Sequence, residues 1–173
     1  MMRNNIILIG YMGCGKTTVG KNLARITGYT FTDTDEMIEK QQGRTISEIF
    51  AMDGEEAFRE METKLLEQLI QEQSSQLVIS TGGGMPLREK NRSLLAELGT
   101  VIYLQTKPQT VYERIKDDTK RPLLQCEDPL ARINEMLSVR GPIYESTTDN
   151  IIPVDDLRQS EIAEQIREQF VRP

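Results

Sequence analysis

Short apolar or β-branched runs recur at residues 5–9, 30–32, 77–80, 101–104 and 150–154, each bounded by polar or glycine-bearing segments and each reading as a strand. Between them the apolar positions switch to helical spacing; after the first run they fall at Val19, Leu23 and Ile26. The pattern predicts helices over 16–27, 35–42, 46–73, 87–97, 108–116, 129–144 and 158–171, with Gly54 breaking the long third one. Strands that alternate with helices to the end of the chain imply a parallel sheet covered on both faces, because each crossover carries a helix back over the sheet. No repeat, low-complexity tract or linker interrupts the alternation, and 173 residues suit one domain that buries roughly 70% of its unfolded surface. Ligands of such sheets collect at the carboxyl ends of the strands, so the residues there carry the functional argument.

The first strand runs into Gly10-Tyr11-Met12-Gly13-Cys14-Gly15-Lys16-Thr17, a complete G-x-x-x-x-G-K-[ST] between a strand and a helix. In that context the chain curls around an anion and starts a helix whose free N–H groups face it. Lys16 offers a point charge to the β/γ-phosphates and the Thr17 hydroxyl a ligand for Mg²⁺, so the chain is expected to bind a nucleoside triphosphate. The second strand finishes in Asp33-Thr34-Asp35. Two carboxylates at i, i+2 on an extended segment point the same way; one can hold a metal's hydration shell while the other receives a substrate hydroxyl. Alternatively, Asp35 simply caps the helix it begins. The third strand ends in Thr81-Gly82-Gly83-Gly84-Met85-Pro86. Three glycines in a row are costly to order, which points to a backbone that approaches a ligand closely; a tight strand–helix turn is the plainer reading. Arg59 lies one helical turn from Glu62, which can fix its guanidinium; Arg140 lies in Ser138-Val139-Arg140-Gly141-Pro142-Ile143-Tyr144, and Arg121 in a polar, charged segment. A lone arginine is usually solvated surface, but one on a loop near a triphosphate can complete a charge clamp. The residues therefore reach a small-molecule kinase with a lid, and leave open its acceptor.

Composition narrows the alternatives. A net charge of −6 argues against nucleic-acid or anionic-membrane partners. Histidine is absent, which excludes Ser-His-Asp and Cys-His hydrolysis and any His-ligated metal. Two cysteines, Cys14 and Cys126, do not make a disulfide framework and read as free thiols of a reducing compartment. With no signal peptide ahead of the first strand and no apolar run near 18 residues, a cytoplasmic and monomeric enzyme is expected. Cys14 sits where a helix N-terminus and Lys16 favour a thiolate, so it is either an oxidisable thiol or an inert small residue shielded by nucleotide.

Taken together, G-Y-M-G-C-G-K-T-T-V-G-K, F-T-D-T-D, T-I-S-E-I-F with G-E-E-A-F-R-E-M-E, S-T-G-G-G, K-R-P-L-L and R-G-P-I-Y resemble the shikimate kinases, in that family's order and over essentially the whole chain. The resemblance implies transfer of the ATP γ-phosphoryl group to the 3-hydroxyl of shikimate, in the route to chorismate and aromatic amino acids. It implies an α/β, P-loop three-layer sandwich of the nucleoside-monophosphate-kinase-like type, with five parallel strands in order 2-3-1-4-5. One domain over residues 1–173 would carry a substrate-binding helical region at about 34–61 and a lid at about 112–127. By position, Gly13, Cys14, Gly15, Lys16, Thr17 and Thr18 would cradle the ATP phosphates, and Thr17 and Asp33 would hold Mg²⁺. Asp35 would bind the ring hydroxyls and orient or deprotonate the attacking one. Arg59 and Arg140 would grip the shikimate carboxylate with a backbone N–H from Gly82, Gly83 or Gly84, chiefly Gly83. Arg121 would be the lid arginine on ATP, Arg114 would lie beside the adenine, and the last nucleotide contact would fall at Arg158 or Gln159. The rival readings are a kinase of another hydroxylated acid, such as gluconate, and a non-catalytic nucleotide-binding module.

Overall fold

β1 (Ile6–Ile9) sits at the centre of a five-stranded parallel sheet, between β3 (Leu77–Ser80) and β4 (Thr100–Gln105), with β2 (Thr30–Asp33) and β5 (Ile151–Pro153) at the edges. The order β2-β3-β1-β4-β5 is the expected one. The computed structural model describes residues 4–118 and 125–171; Arg121 and the middle of the expected lid lie outside the described residues. Among the described residues the helices are α1 (Lys16–Thr27), α2 (Thr34–Gln42), α3 (Ile46–Asp53), α4 (Glu55–Gln71), α5 (Glu89–Leu98), α6 (Pro108–Ile115), α7 (Pro129–Thr147) and α8 (Gln159–Phe170).

The strand pleat builds the three layers. Successive side chains of β1 point to opposite faces, so Ile6 and Leu8 join Val78, Ile102 and Leu104 against Val19 and Leu23 of α1 and Ile162 and Ile166 of α8. Ile7 and Ile9 join Ile79, Val101 and Tyr103 on the other face, against α4, α5, α6 and α7. Each buried aliphatic contributes roughly 1.5–3 kcal/mol relative to exposure, which makes β1, fully buried on both faces, the anchor of the sheet.

Local chemistry sets the helix ends. Thr45 and Glu48 form a reciprocal capping box at the start of α3, and Gly54, at φ +86°, separates α3 from α4 as the sequence predicts. The expected start of α2 at Asp35 moves to Thr34, because Asp33 Oδ1 accepts from the N–H groups of Asp35 (2.9 Å) and Glu36 (3.2 Å). Asp33, and not Asp35, is the cap. After β3 the chain makes a single 3-10 turn at Met85–Leu87 before α5, so the helix expected from residue 87 begins at Glu89. α7 continues past Tyr144 to Thr147 and runs through Pro142.

Candidate active site

Because all strands run parallel, the phosphate loop after β1, the start of α2 after β2 and the glycine run after β3 emerge on one edge of the sheet. They line one cleft of about 320 Å³, bounded by Met12, Gly13, Gly15, Lys16, Thr17, Thr18, Asp33, Asp35, Ser80, Thr81, Gly82 and Gly83. Gly15 caps α1 in the left-handed region (φ +96°), a geometry that L-residues resist, and no side chain caps the helix. The first-turn N–H groups and the positive end of the helix dipole therefore remain available to an anion. Lys16 Nζ donates to the carbonyls of Gly10 (2.7 Å) and Tyr11 (3.1 Å), which holds the ammonium over the loop.

Asp33 and Asp35 both reach this cleft, but a strand-to-helix turn brings them there instead of the β pleat the spacing suggested. Burial, reinforced by the Asp33 charge, pushes the Asp35 carboxyl up to about 6 against the pull of Lys16. Its Oδ1 is buried with no hydrogen-bond partner. Glu62, from the middle of α4, is fully buried, and its burial lifts it to about 7 although Arg59 Nη1 lies 2.8 Å from its Oε2. The other oxygen, Oε1, is likewise unpartnered. A buried carboxylate oxygen without a donor costs free energy, so both atoms are groups in wait of a hydroxyl or a proton.

Of the three glycines, Gly82 and Gly84 are required by space, while Gly83 has room for a methyl group. None of them has a positive φ. A Cβ at Gly82 would stand 2.8 Å from Asp35 Oδ1 and 3.1 Å from Glu62 Oε1; one at Gly83 would stand 3.6 Å from Arg140 Nη1; one at Gly84 would overlap the Arg59 guanidinium. The backbone thus forms a floor with carboxylates at one end and two cations at the other. The Gly82 N–H donates to the buried Thr34 hydroxyl (3.0 Å), while the N–H groups of Gly83 and Gly84 meet no acceptor among the described residues. Arg59 is held by Glu62 and Glu55, with 12% of its side chain exposed. Arg140 lies over the Tyr11 ring at 5.9 Å and has no carboxylate partner among the described residues. The floor touches the phosphate loop, with Gly10 O 3.5 Å from the Cβ position of Gly83.

On the opposite flank, Arg114 Nη1 donates to Gly13 O (2.9 Å), and Gln159 Nε2 lies 3.5 Å from the Cβ position of Gly15. Arg158 turns away, 82% exposed and paired with Glu161. Of the two alternatives for the last nucleotide contact, Gln159 is the one beside the loop. Cys14 is buried among core side chains, 1% exposed, with its N–H donating to Tyr11 O (3.3 Å), which favours the inert reading of its thiol. Two contributors had no assigned role in the sequence: the Thr34 hydroxyl, and Tyr144, whose hydroxyl donates to Gly83 O (2.6 Å). The four-residue spacing of Tyr144 from Arg140 on one helix was the available signal.

Comparison with known proteins agrees with this arrangement. The family model described as "Shikimate kinase" matches residues 12–171. A shikimate kinase of Histophilus somni is 44% identical over 165 residues, covering 95% of this chain and 93% of that protein. One from Thermodesulfovibrio yellowstonii is 45% identical over 168 residues, covering 97% and 95%. Among solved structures, a shikimate kinase from Acinetobacter baumannii in complex with shikimate superposes with a TM-score of 0.87 at 38% identity, covering 97% of this chain and 92% of that one.

Proposed function

Because the chain belongs to the shikimate kinase family, we propose that its cleft carries out ATP-dependent phosphorylation of the shikimate 3-hydroxyl through the residues described above. The observation that carries the assignment is the glycine floor, which sets carboxylates at Gly82 and guanidiniums at Gly83 and Gly84 directly beside a phosphate loop. That polarity suits a molecule with hydroxyls on one side and a carboxylate on the other. Arg59 and Arg140 grip the carboxylate, each able to present a planar fork, and the Gly83 N–H adds a donor. Asp35 takes the reacting hydroxyl; with a pKa near 6 it is ionised at neutral pH yet basic enough to accept a proton as the oxygen attacks. Lys16 and the first-turn N–H groups of α1 stabilise charge that develops on the transferred phosphoryl group.

The donor set also suits Mg²⁺, a hard cation that takes few protein ligands beside phosphate oxygens and water: the Thr17 hydroxyl and the Asp33 carboxylate line the same cleft. When bound, the ion would neutralise charge on the β- and γ-phosphates. Gln159 and Arg114 flank the nucleotide side, and α2, α3 and the start of α4 would form the acceptor-binding region of a single domain; by its resemblance, Arg121, outside the described residues, would complete the charge around ATP from a lid at about residues 112–127. The buried Cys14 thiol fits a reducing, cytoplasmic compartment, and no helix among the described residues is long and apolar enough to cross a membrane. A coupled ADP-release assay with Mg-ATP and shikimate, gluconate, AMP or no acceptor tests the proposal. Shikimate-dependent ADP release is expected; release that follows gluconate, or that ignores the acceptor, would overturn it.

A further inference from the structure

α7 carries Arg140 and, one turn on, Tyr144, with the fully buried phenol ring inclined against Tyr103 of β4 at 5.1 Å between centroids. The hydroxyl donates to the Gly83 carbonyl at 2.6 Å, and both Tyr144 Oη and Arg140 Nη1 lie 3.6 Å from the Gly83 Cβ position. We propose that Tyr144 is a positioning residue for the acceptor, fixing the Gly83 carbonyl, and through it the glycine floor, together with the Arg140 guanidinium, so that floor and guanidinium are preset for the substrate carboxylate. The inference rests on the reading of Arg59 and Arg140 as the carboxylate clamp.

Three observations support it. The floor is held at three successive carbonyls: Gly82 O accepts from the Met85 N–H (3.1 Å), Gly83 O from Tyr144 and Gly84 O from the Leu87 N–H (3.1 Å), so that Tyr144 supplies the one side-chain restraint among them. With trans peptides, pinning each carbonyl also aims the N–H of the following residue, and the N–H groups of Gly83 and Gly84 are the ones with no protein acceptor among the described residues. Glycines have no side chain with which to hold such a turn, so the restraint must come from outside the segment. Next, Arg140 has no carboxylate among the described residues to fix its fork, unlike Arg59; its neighbours include the Tyr11 ring beneath it and the phenol beside it. An arginine set against aromatic and neutral groups keeps its full charge for a ligand carboxylate. Finally, burial raises the Tyr144 phenol well above its ordinary value, although the Arg140 cation pulls the other way, so it stays a neutral donor throughout the working range.

Tyr144→Phe removes one oxygen and leaves the ring packing. The KM for shikimate should rise about three- to tenfold, as for loss of one buried hydrogen bond, with kcat and the KM for ATP nearly unchanged. Shikimate methyl ester supplies the control, since it cannot offer an anionic carboxylate. Wild-type enzyme should prefer shikimate over the ester strongly, and the preference should shrink in Tyr144→Phe by the factor by which the KM rises. If wild type does not discriminate against the ester, the carboxylate clamp itself is wrong. Should wild type discriminate and Tyr144→Phe discriminate equally, the clamp stands and the role of Tyr144 is refuted. Ile166→Val, a core change on the far face of the sheet, separates positioning from general loosening: a KM for shikimate that rises there in step with the loss of melting temperature would also overturn the proposal.

Discussion

Asp35→Asn should damage turnover and improve stability at once. The folded protein holds the Asp35 proton up to about pH 6, against 3.8 for an ordinary aspartate. Folding therefore gains most from this group below its unfolded value, and the gain drains away as pH rises from 3.8 through about 6. Above that window the native state carries a buried, crowded charge at a constant cost. A shift of about 2 pH units corresponds to about 3 kcal/mol, and residual solvent contact lowers that to about 1–3 kcal/mol. Asparagine has the same shape and no charge at any pH. Metal-free Asp35→Asn protein in a chelating buffer should thus melt about 3–10 °C higher than wild type at pH 8, with the difference closing towards pH 4. Turnover in the ADP-release assay should fall by about 10²–10⁴-fold, the usual contribution of a positioned base. In wild type, kcat/KM for shikimate should decline as pH drops below about 6, because the protonated carboxyl no longer accepts a proton. A variant that melts lower at pH 8, or whose advantage is the same at pH 4 and pH 8, would refute the reasoning.

Lys16→Met should leave a folded protein, since the ammonium contacts only the phosphate loop itself, the Gly10 and Tyr11 carbonyls and the Cys14 sulfur, yet cost several kcal/mol of transition-state stabilisation; near-native kcat in a protein with wild-type melting would remove Lys16 from the chemistry. Gly84→Ala places a methyl group on the Arg59 guanidinium, so the KM for shikimate should climb at least about tenfold while nucleotide affinity, read by titration with an ATP analogue, holds. Arg121→Ala, suggested by the K-R-P-L-L resemblance, should lower kcat by more than it weakens shikimate binding; the reverse split would place Arg121 on the acceptor.

The architecture was legible because the strongest signals were local. α1 and β3 fall on their expected bounds, where a complete phosphate-loop motif and an uninterrupted apolar run leave little freedom. Boundaries drifted where a side chain intervened: Asp33 captures the N–H groups that start α2, and α7 absorbs Pro142, which pattern alone would treat as a stop. Within the site, residue type was legible and direction was not. Each step along a helix start rotates the side chain by about 100°, so spacing could not say that Gln159 faces the loop while Arg158 faces Glu161. Nor could it show that Glu62 is buried with an oxygen aimed at Asp35's end of the floor, because that depends on the packing of α4 against the glycine run. The purpose of Gly82 and Gly84 emerged only with their neighbours: close approach, not left-handed backbone, explains them.

That crowding bears on inhibition. A compound that lies against Gly82 and Gly84 contacts positions where resistance by substitution is nearly closed, since a side chain at Gly82 meets Asp35 and Glu62 and one at Gly84 meets Arg59. Any larger residue there would blunt the drug only by dislodging the groups that handle the natural acceptor. Escape would have to come from the exposed rim of the cleft, whose side chains can change without touching the floor. Inhibitors that draw their affinity from the glycine backbone and little from that rim would leave the enzyme the fewest routes to tolerance.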